Sequence, residues 1–160
     1  MSIKSTKKIL VPIDFSPDSQ SAIEEGLVLA RMLGAEVTLF HVIHDSLDTP
    51  GIYIDKKKKN KKLIVQIDDA AQEKMAEYLK KHGVTKKAKE LKVKLDINCR
   101  RGLPVDQIIR LVNKKDYGLI VMGSSGRSGL ANVLLGSVAE RVVQQSTVPV
   151  MVVKKKKKKS

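Results

Sequence analysis

The chain has 160 residues, of which 42% are apolar, so it is long enough to bury the core of one domain. Its single cysteine, Cys99, excludes an internal disulfide framework and any zinc site built from several cysteines. No run approaches the roughly 18 consecutive apolar residues of a membrane span. The N-terminal segment lacks the apolar stretch of a signal peptide, so we expect a cytoplasmic domain.

The net charge of +14 is concentrated in two lysine clusters. Lys154 to Lys159 carry six charges, and Lys56 to Lys59 with Lys61 and Lys62 carry six more, which leaves +2 for the rest of the chain. Runs of like charge repel one another and are usually solvated. Aromatic residues, which stack on nucleic-acid bases, make up only 3% of the sequence. The composition therefore argues against a nucleic-acid-binding protein.

The first half of the chain alternates between apolar runs and helical periodicity. A buried strand over residues 8–13 precedes a helix that Ser16 caps and Pro17 starts. The next apolar run, 37–43, predicts a second buried strand. Residues 44–64 show no periodicity and predict a long flexible loop, which is either a lid over a site or a solvated connection.

The second half continues the alternation. A helix over residues 67–83 precedes a segment, 91–99, in which every second residue is apolar, as in a strand near a sheet edge. A helix that begins at 102–104 leads to the continuous apolar run 117–122, which is typical of a central strand. The pattern closes with a last helix and a last strand, at 137–145 and 148–153.

Strands that alternate with helices pair in parallel through right-handed crossovers. We therefore predict a single α/β domain over residues 1–153, a three-layer fold with an open parallel sheet of five strands and about four helices. A lysine tail, 154–160, follows it. In such sheets, ligands bind beyond the carboxyl ends of the strands, where the strand order reverses.

A glycine-rich segment connects the predicted central strand to the last helix. Backbone N–H groups of glycine approach an anion closely because no Cβ obstructs them, and the start of a helix adds unpaired N–H donors. Four glycines in this place favour a phosphate-binding loop over a set of ordinary turns: Gly123, Gly126, Gly129 and Gly136. The segment contains neither the Walker spacing nor the Rossmann fingerprint, and it is not a nucleophile elbow.

Ser137 directly follows the last of these glycines and precedes Glu140 by three residues. This is the spacing of a capping box, and it predicts that the last helix starts at Ser137. The Ser137 hydroxyl can cap that helix or serve a phosphate oxygen, but it cannot do both at once.

The spacing Gly-x2-Gly-x9-Gly-Ser, present as Gly123, Gly126, Gly136 and Ser137, resembles the signature of the universal stress protein family. Three further segments resemble the family: Ile9-Leu10-Val11-Pro12-Ile13-Asp14-Phe15-Ser16, Leu39-Phe40-His41-Val42 and Val148-Pro149-Val150-Met151-Val152-Val153. The resemblance covers about residues 7–153 and implies a sheet of order 3-2-1-4-5. Family members that keep the glycine signature bind ATP, so the resemblance implies the ATP-binding subgroup.

The resemblance also implies a binding site, residue by residue. The end of the first strand lies beside the nucleotide, the backbone of Val42 faces adenine, and the end of the fourth strand lies near the ribose. The glycine loop and the start of the last helix surround the phosphates. The implied contacts of ATP, with or without Mg²⁺, are Pro12, Ile13, Asp14, Val42, Met122, Gly123, Gly126, Arg127, Gly136, Ser137 and Val138.

Several polar residues allow two interpretations. The Asp14 carboxylate can stabilise the start of the first helix, or it can contact the ribose or Mg²⁺. Arg127 is either an exposed charge or a charge-assisted phosphate ligand. His41 and Cys99 are expected to fill space in strands, since the spacing of the histidines and the cysteine does not fit a metal site.

Hypotheses of different functional classes follow. The first is a stress-response regulator that binds ATP with little or no hydrolysis, because the loop contains no P-loop lysine and no obvious residue that activates water. The alternative is a weak Mg²⁺-dependent ATPase or nucleotide hydrolase that uses Asp14 to hold the metal. A third, binding of nucleic acid or an acidic partner through the lysine clusters, is disfavoured by the composition. The apolar last strand, Val148–Val153, predicts a homodimer, as does the resemblance.

Overall fold

A computed structural model of the protein describes residues 3–44, 61–114, 116–125 and 135–155, excepting the side chains of Lys4 and of residues 61–68. A short 3₁₀ turn, Ile3–Ser5, comes first. It is followed by β1 (Lys8–Ile13), α1 (Pro17–Leu33), β2 (Glu36–Ile43), α2 (Lys61–Lys81), α3 (Val84–Glu90), β3 (Leu95–Arg101), α4 (Pro104–Lys114), β4 (Leu119–Gly123), α5 (Ser137–Gln145) and β5 (Val150–Val153).

The five strands form one parallel sheet in the order β3-β2-β1-β4-β5. The order reverses beside β1, which pairs with β2 on one side and with β4 on the other. The last pair between β1 and β2 is Ile13 opposite His41. The predicted open parallel sheet of order 3-2-1-4-5 is therefore confirmed, with β3 and β5 at its edges.

Helices cover both faces of the sheet, because successive side chains of a strand point to opposite faces. On one face, β1 buries Ile9 and Val11 against residues of α1, α2 and α3. On the other face, Leu10 packs in a second cluster with residues of α4 and α5. The molecule therefore has the three predicted layers, and it has one more helix than expected among the described residues.

The turn from β1 into α1 follows the sequence signals closely. The Ser16 hydroxyl accepts a hydrogen bond from the backbone N–H of Ser19 at 3.2 Å, so Ser16 is the N-cap, as predicted. Pro17 is the first helical residue, a position whose N–H takes no part in the hydrogen bonds of the helix, so proline is tolerated there. Gly34 ends the helix with φ of 64°.

Several boundaries differ from those predicted: β4 is Leu119–Gly123 instead of 117–122, and the last strand, predicted as Val148–Val153, begins only at Val150. The expected loop over 44–64 is wrong at its end, since α2 already begins at Lys61. Lysine is a good helix former, so a lysine cluster can begin a helix although its charge suggests a loop. The rest of that loop, residues 45–60, lies outside the described residues.

The segment predicted as a strand over 91–99 divides into two structures. Its first part ends the unpredicted helix α3, with Leu91 as the C-cap and Lys92 in a turn with φ of 55°. The strand β3 starts only at Leu95. Leu91 and Val93 still pack into the core, so their apolar alternation reflects burial at the end of a helix and in a turn.

Candidate functional site

The carboxyl ends of β1, β2 and β4 meet at the edge of the sheet where the strand order reverses. This is the place where open α/β sheets bind ligands. The structure brings six of the predicted contact residues to this edge: Pro12, Ile13, Asp14, Val42, Met122 and Gly123. Ile13 and Met122 are buried, whereas the other four are partly exposed.

The start of α5 lies next to the end of β4. The backbone N–H of Gly136 donates to the carbonyl of Ser124, the residue that follows β4, at 2.6 Å. This bond joins the two ends of the glycine-rich segment and brings Ser137 and Val138 to the same edge. Gly126, Gly129 and Arg127 lie outside the described residues, as do the lysines at 56–59 and 156–159.

Ser137 is not the helix cap, contrary to the capping-box prediction. Gly136 is the N-cap of α5, with φ of −69° and ψ of 155°, and its carbonyl accepts from the N–H of Glu140 at 2.9 Å. Ser137 is therefore the first residue inside the helix and not its N-cap. The capping box fails because the extended backbone of Gly136 starts the helical ladder one residue before the serine.

The Asp14 carboxylate stabilises the turn between β1 and α1. Its Oδ1 accepts from the Ser19 hydroxyl at 2.6 Å and from the backbone N–H of Ser16 at 3.0 Å. The backbone N–H of Asp14 donates in return to Ser19 Oγ at 3.0 Å. These contacts show that Asp14 stabilises the start of the first helix, which is one of its two interpretations. A contact of Asp14 with the ribose or Mg²⁺ stays a prediction.

Asp18, in the first turn of α1, is a residue of this edge that the sequence reasoning missed. Its Oδ2 accepts from the hydroxyls of Ser124 and Ser125, both at 2.8 Å. Burial acts to raise the pKa of Asp18, but the bonds donated by these serines and by the backbone of Lys155 outweigh it and hold the pKa below its ordinary value. An acidic residue is common in a first helical turn, so no sequence signal distinguishes Asp18.

Gly123 is required by packing at the end of β4. A Cβ on Gly123 would lie 2.8 Å from Asp18 Cβ, 3.0 Å from the Asp18 carbonyl carbon and 3.2 Å from the backbone nitrogen of Ser19. Two of these atoms belong to the backbone of α1 and cannot move aside cheaply. The absence of a side chain at Gly123 therefore lets the end of β4 lie against the first turn of α1.

An aromatic cluster supports the other side of the β1 end. The buried His41 ring bonds the carbonyl of Ile13 through Nδ1 at 2.9 Å, so Nδ1 carries the proton, because a carbonyl only accepts. The Phe15 ring lies 4.5 Å from His41 and 5.1 Å from Tyr78, measured between centroids. Lys74 Nζ lies 4.8 Å from the centroid of Phe15. His41 is thus a core residue, as predicted.

Two cavities lie near β3. The larger, of about 620 Å³, is mostly apolar and lies between α2, α3 and β3, with Met75, Leu79 and Ile97 in its lining. The smaller, of about 420 Å³, lies at the carboxyl ends of β2 and β3 and includes Arg100 and Arg101. Only the smaller one is at the sheet edge that carries Val42.

The described ranges contain neither a metal-binding cluster nor a membrane-spanning helix. Within them, no group of three or more histidine, cysteine, aspartate or glutamate side chains is arranged to hold a metal ion. No helix among the same residues has the length and apolar character that crossing a bilayer requires. The described part of the candidate site therefore consists of strand ends, a helix start and hydrogen-bonded turns.

Comparison with known sequences gives a consistent result. The universal stress protein family matches the chain over residues 5–154. Universal stress protein MJ0531 of Methanocaldococcus jannaschii is 38% identical over 152 residues, which cover 95% of this chain and 84% of that protein. Universal stress protein MJ0577 of the same organism is 30% identical over 156 residues, which cover 94% and 96%.

Solved structures have the same fold. The structure of MJ0577 matches with a TM-score of 0.69 at 28% identity and covers 96% of this chain and 99% of that one. Two matches at 20% identity, which show the fold alone, are a universal stress protein in complex with cAMP and one from Archaeoglobus fulgidus in complex with dAMP. Their TM-scores are 0.65 and 0.60, with 95% and 94% of this chain and 99% of each structure covered. From its sequence and its fold, the chain belongs to the universal stress protein family.

Proposed function

We propose that this protein binds ATP at the carboxyl edge of β1 and β4 and acts as a nucleotide-dependent regulator of the stress response, with little or no hydrolysis. The observation that carries the proposal is the bond from the Gly136 N–H to the Ser124 carbonyl, 2.6 Å long. It holds the start of α5 beside the end of β4, at the reversal of strand order. Strand ends and a helix start are thereby combined in one place.

The start of α5 provides donors for the phosphates. The first N–H groups of a helix have no acceptor within the helix, and the helix dipole adds partial positive charge there. Ser137 and Val138 are exposed residues at this helix start, which supports the assignment. The glycine signature that precedes them supports the same assignment, since phosphate oxygens can approach its backbone closely.

The end of β2 provides a backbone surface for the base. Val42 lies one residue beyond the last pair between β1 and β2, Ile13 with His41. Val42 still pairs with Arg100 of β3, but its pairing with β1 has stopped, so we infer that adenine is recognised by the main chain of β2 on the side toward β1. The fold-related proteins that bind cAMP and dAMP support an adenine nucleotide as the ligand class.

The alternative, a weak Mg²⁺-dependent ATPase, depends on Asp14. This carboxylate lies at the candidate site, but its Oδ1 already accepts two hydrogen bonds within the β1–α1 turn. Mg²⁺ prefers carboxylate oxygens and several waters, and one of the two Asp14 oxygens is already committed to the turn; the chain also contains no P-loop lysine. We therefore favour binding over catalysis. Phosphate release that tracks protein concentration and is lost in Asp14→Asn would support the alternative instead.

Calorimetric titration of the full chain with ATP, GTP and adenosine tests the proposed function. We expect saturable heat with one ATP per chain, weaker binding of GTP because the backbone of Val42 faces the base, and weaker binding of adenosine because it lacks phosphates. Binding through the lysine clusters alone would fall steeply with salt and would not distinguish ATP from GTP. No heat from ATP with folded protein would refute the proposal.

We also infer that two copies pair through β5. This strand is at one edge of the sheet, bonded to β4 on its inner side. Val150 and Val152 are partly buried and Met151 is 38% exposed, so the strand presents apolar side chains at an edge that pairs with no further strand among the described residues. Such an edge pairs readily with an identical strand.

A further inference from the structure

Asp18 binds segments that are far from it in sequence. Its Oδ2 accepts from the Ser124 hydroxyl and the Ser125 hydroxyl, and also from the Ser125 backbone N–H at 3.0 Å. Its Oδ1 accepts from the backbone N–H of Lys155, just after β5, at 3.1 Å. One side chain of α1 thus joins the segment after β4 to the segment after β5.

The donors around Asp18 require a carboxylate. Only 8% of the residue is exposed, and burying a charge is costly unless hydrogen bonds compensate. Four donors do so, and they approach both oxygens. An asparagine has an acceptor on one end only, so its NH₂ group would face either Lys155 or the serines as a second donor.

The residues that Asp18 holds are those that close the glycine loop. Ser124, whose hydroxyl bonds Asp18, also donates its backbone N–H to the Val153 carbonyl at 2.8 Å and accepts from the Gly136 N–H at 2.6 Å. A continuous chain of hydrogen bonds therefore runs from Asp18 through Ser124 to the N-cap of α5. Gly123 permits this arrangement, because any Cβ there would collide with Asp18.

We propose that Asp18 is the positioning residue for the start of α5: its carboxylate holds Ser124 and Ser125, and the Ser124 carbonyl in turn holds the N-cap Gly136, so that the start of α5 already faces the ligand. The inference rests on the proposed function, and it assigns Asp18 no contact with the nucleotide. A helix start that is already held in place binds more tightly because the ligand does not have to supply the free energy that orders it.

The sign of the effect separates positioning from simple charge. ATP is an anion, so removal of a nearby negative charge would by itself strengthen binding. Positioning predicts the opposite, since Asp18→Asn leaves donors of the loop without an acceptor. We expect ATP affinity to fall about tenfold in this variant, the effect of losing a charge-assisted hydrogen bond. Adenosine, which has no phosphates, should bind Asp18→Asn and the unaltered protein equally well.

The control is Asp106→Asn, which removes the same charge from the exposed first turn of α4. It should leave ATP affinity unchanged. A second variant, Ser125→Ala, removes one donor and keeps the carboxylate, so it should weaken ATP binding by a smaller factor. If Asp18→Asn and Asp106→Asn bind ATP equally well, or if Asp18→Asn lowers the affinities for ATP and adenosine alike, the positioning role is wrong.

Hydrogen exchange without nucleotide provides a measurement that does not depend on the proposed function. In Asp18→Asn, the amides of Ser125, Gly136 and Lys155 should exchange at least several times faster than in the unaltered protein, while those in the middle of β1 stay protected. Unchanged exchange at these amides would overturn the inference. Absence of ATP binding in the unaltered protein, together with faster exchange in the variant, would refute the proposed function and leave the positioning of the loop standing.

Discussion

Gly123 shows at the level of one residue that a motif glycine can be needed for packing as well as for a ligand. Its place in the signature suggests a close approach of phosphate or ribose, whereas the structure shows a close approach of α1. The clash involves a residue over 100 positions away, so no local pattern contains it. For the same reason, Asp18 could not be selected from the sequence: its partners converge only in the folded chain.

A substitution at Gly123 should therefore change both stability and binding. In Gly123→Ala the new methyl group meets backbone atoms of α1, and we expect a loss of about 1–3 kcal/mol in the free energy of unfolding together with weaker ATP binding. Gly34→Ala is the matched control. An alanine there is strained by φ of 64°, but its Cβ meets no atom within 4 Å. It should cost about 1 kcal/mol without any effect on ATP affinity. Urea unfolding and calorimetry measure the two quantities, and equal ATP affinities in both variants would contradict the expectation.

Tyr78 provides a second prediction at this scale. Its hydroxyl is buried and has no hydrogen-bond partner in the part of the chain that the structure describes. Burial, with smaller contributions from the Asp14 and Glu24 carboxylates, raises the pKa of Tyr78 to about 12. The unfolded chain ionises near its ordinary value of about 10, so folding favours the neutral phenol. The resulting stability is complete below pH 10 and is lost as the pH rises toward 12.

The unaltered protein should therefore lose free energy of unfolding between pH 10 and pH 12. Tyr78→Phe should not show this part of the loss, which is about 2 kcal/mol. At pH 7 it should be at least as stable as the unaltered protein, because the hydroxyl that it removes is buried without a hydrogen-bond partner among the described residues. Tyr117→Phe is the comparison, because the Tyr117 hydroxyl donates to Thr38 Oγ1 at 3.0 Å, and its removal should cost about 1 kcal/mol at pH 7. Urea unfolding across this pH range measures the difference. If the free energy of unfolding depends on pH in the same way in Tyr78→Phe and in the unaltered protein, Tyr78 is not a buried neutral phenol.

At the level of elements, the prediction succeeds where local signals are strong. The strand β1 and the helix α5 have the predicted bounds, and the cap of α1 is at Ser16. It fails at α3, whose seven residues include three lysines and offer little apolar periodicity. The boundary of β3 fails because burial of residues in a turn imitates strand alternation. Local patterns report burial well, but they do not identify the element that buries each residue.

The start of α5 provides the prediction for this scale. Because the N-cap is Gly136 and not Ser137, we expect the Ser137 hydroxyl to add little to the stability of the helix end. Ser137→Ala should therefore change the free energy of unfolding by less than about 0.5 kcal/mol, whereas losing a true serine cap costs about 1 kcal/mol. ATP affinity should fall several-fold if the hydroxyl bonds a phosphate oxygen. Thermal unfolding with and without ATP measures both effects, and a destabilised variant with full ATP affinity would restore the capping interpretation.

At the level of the whole molecule, the parallel sheet between two layers of helices follows from the alternation of strands and helices together with the handedness of crossovers, whereas the strand order 3-2-1-4-5 is implied by the resemblance to the family. The predicted fold is therefore confirmed, although several boundaries are not. The arrangement of residues around the candidate site is harder to predict, because the positions of Ser124, Gly136 and Lys155 depend on hydrogen bonds between distant segments. Gly126 and Arg127 remain predictions from the resemblance.

The edge strand β5 leads to a prediction about assembly. A dimer through β5 should have twice the 17.7 kDa mass of one chain at micromolar concentration. Met151→Lys places a charge on this edge and should shift the mass to that of one chain, since edge lysines prevent strand pairing. Val28→Lys makes the same change at a similarly exposed valine of α1 and should leave the dimer intact. Sedimentation analysis distinguishes these cases, and a monomeric unaltered protein would refute the dimer.

The location of the nucleotide is tested most directly by amide NMR spectra recorded during titration of the full chain with ATP. The largest saturable shifts should occur at Val42 and at Ser137 and Val138, where strand end and helix start converge. Residues of the apolar cavity, such as Lys80 and Ile97, should not respond. Saturable shifts confined to that cavity, or no saturable shift at any residue, would contradict a nucleotide site at the carboxyl edge of β1 and β4.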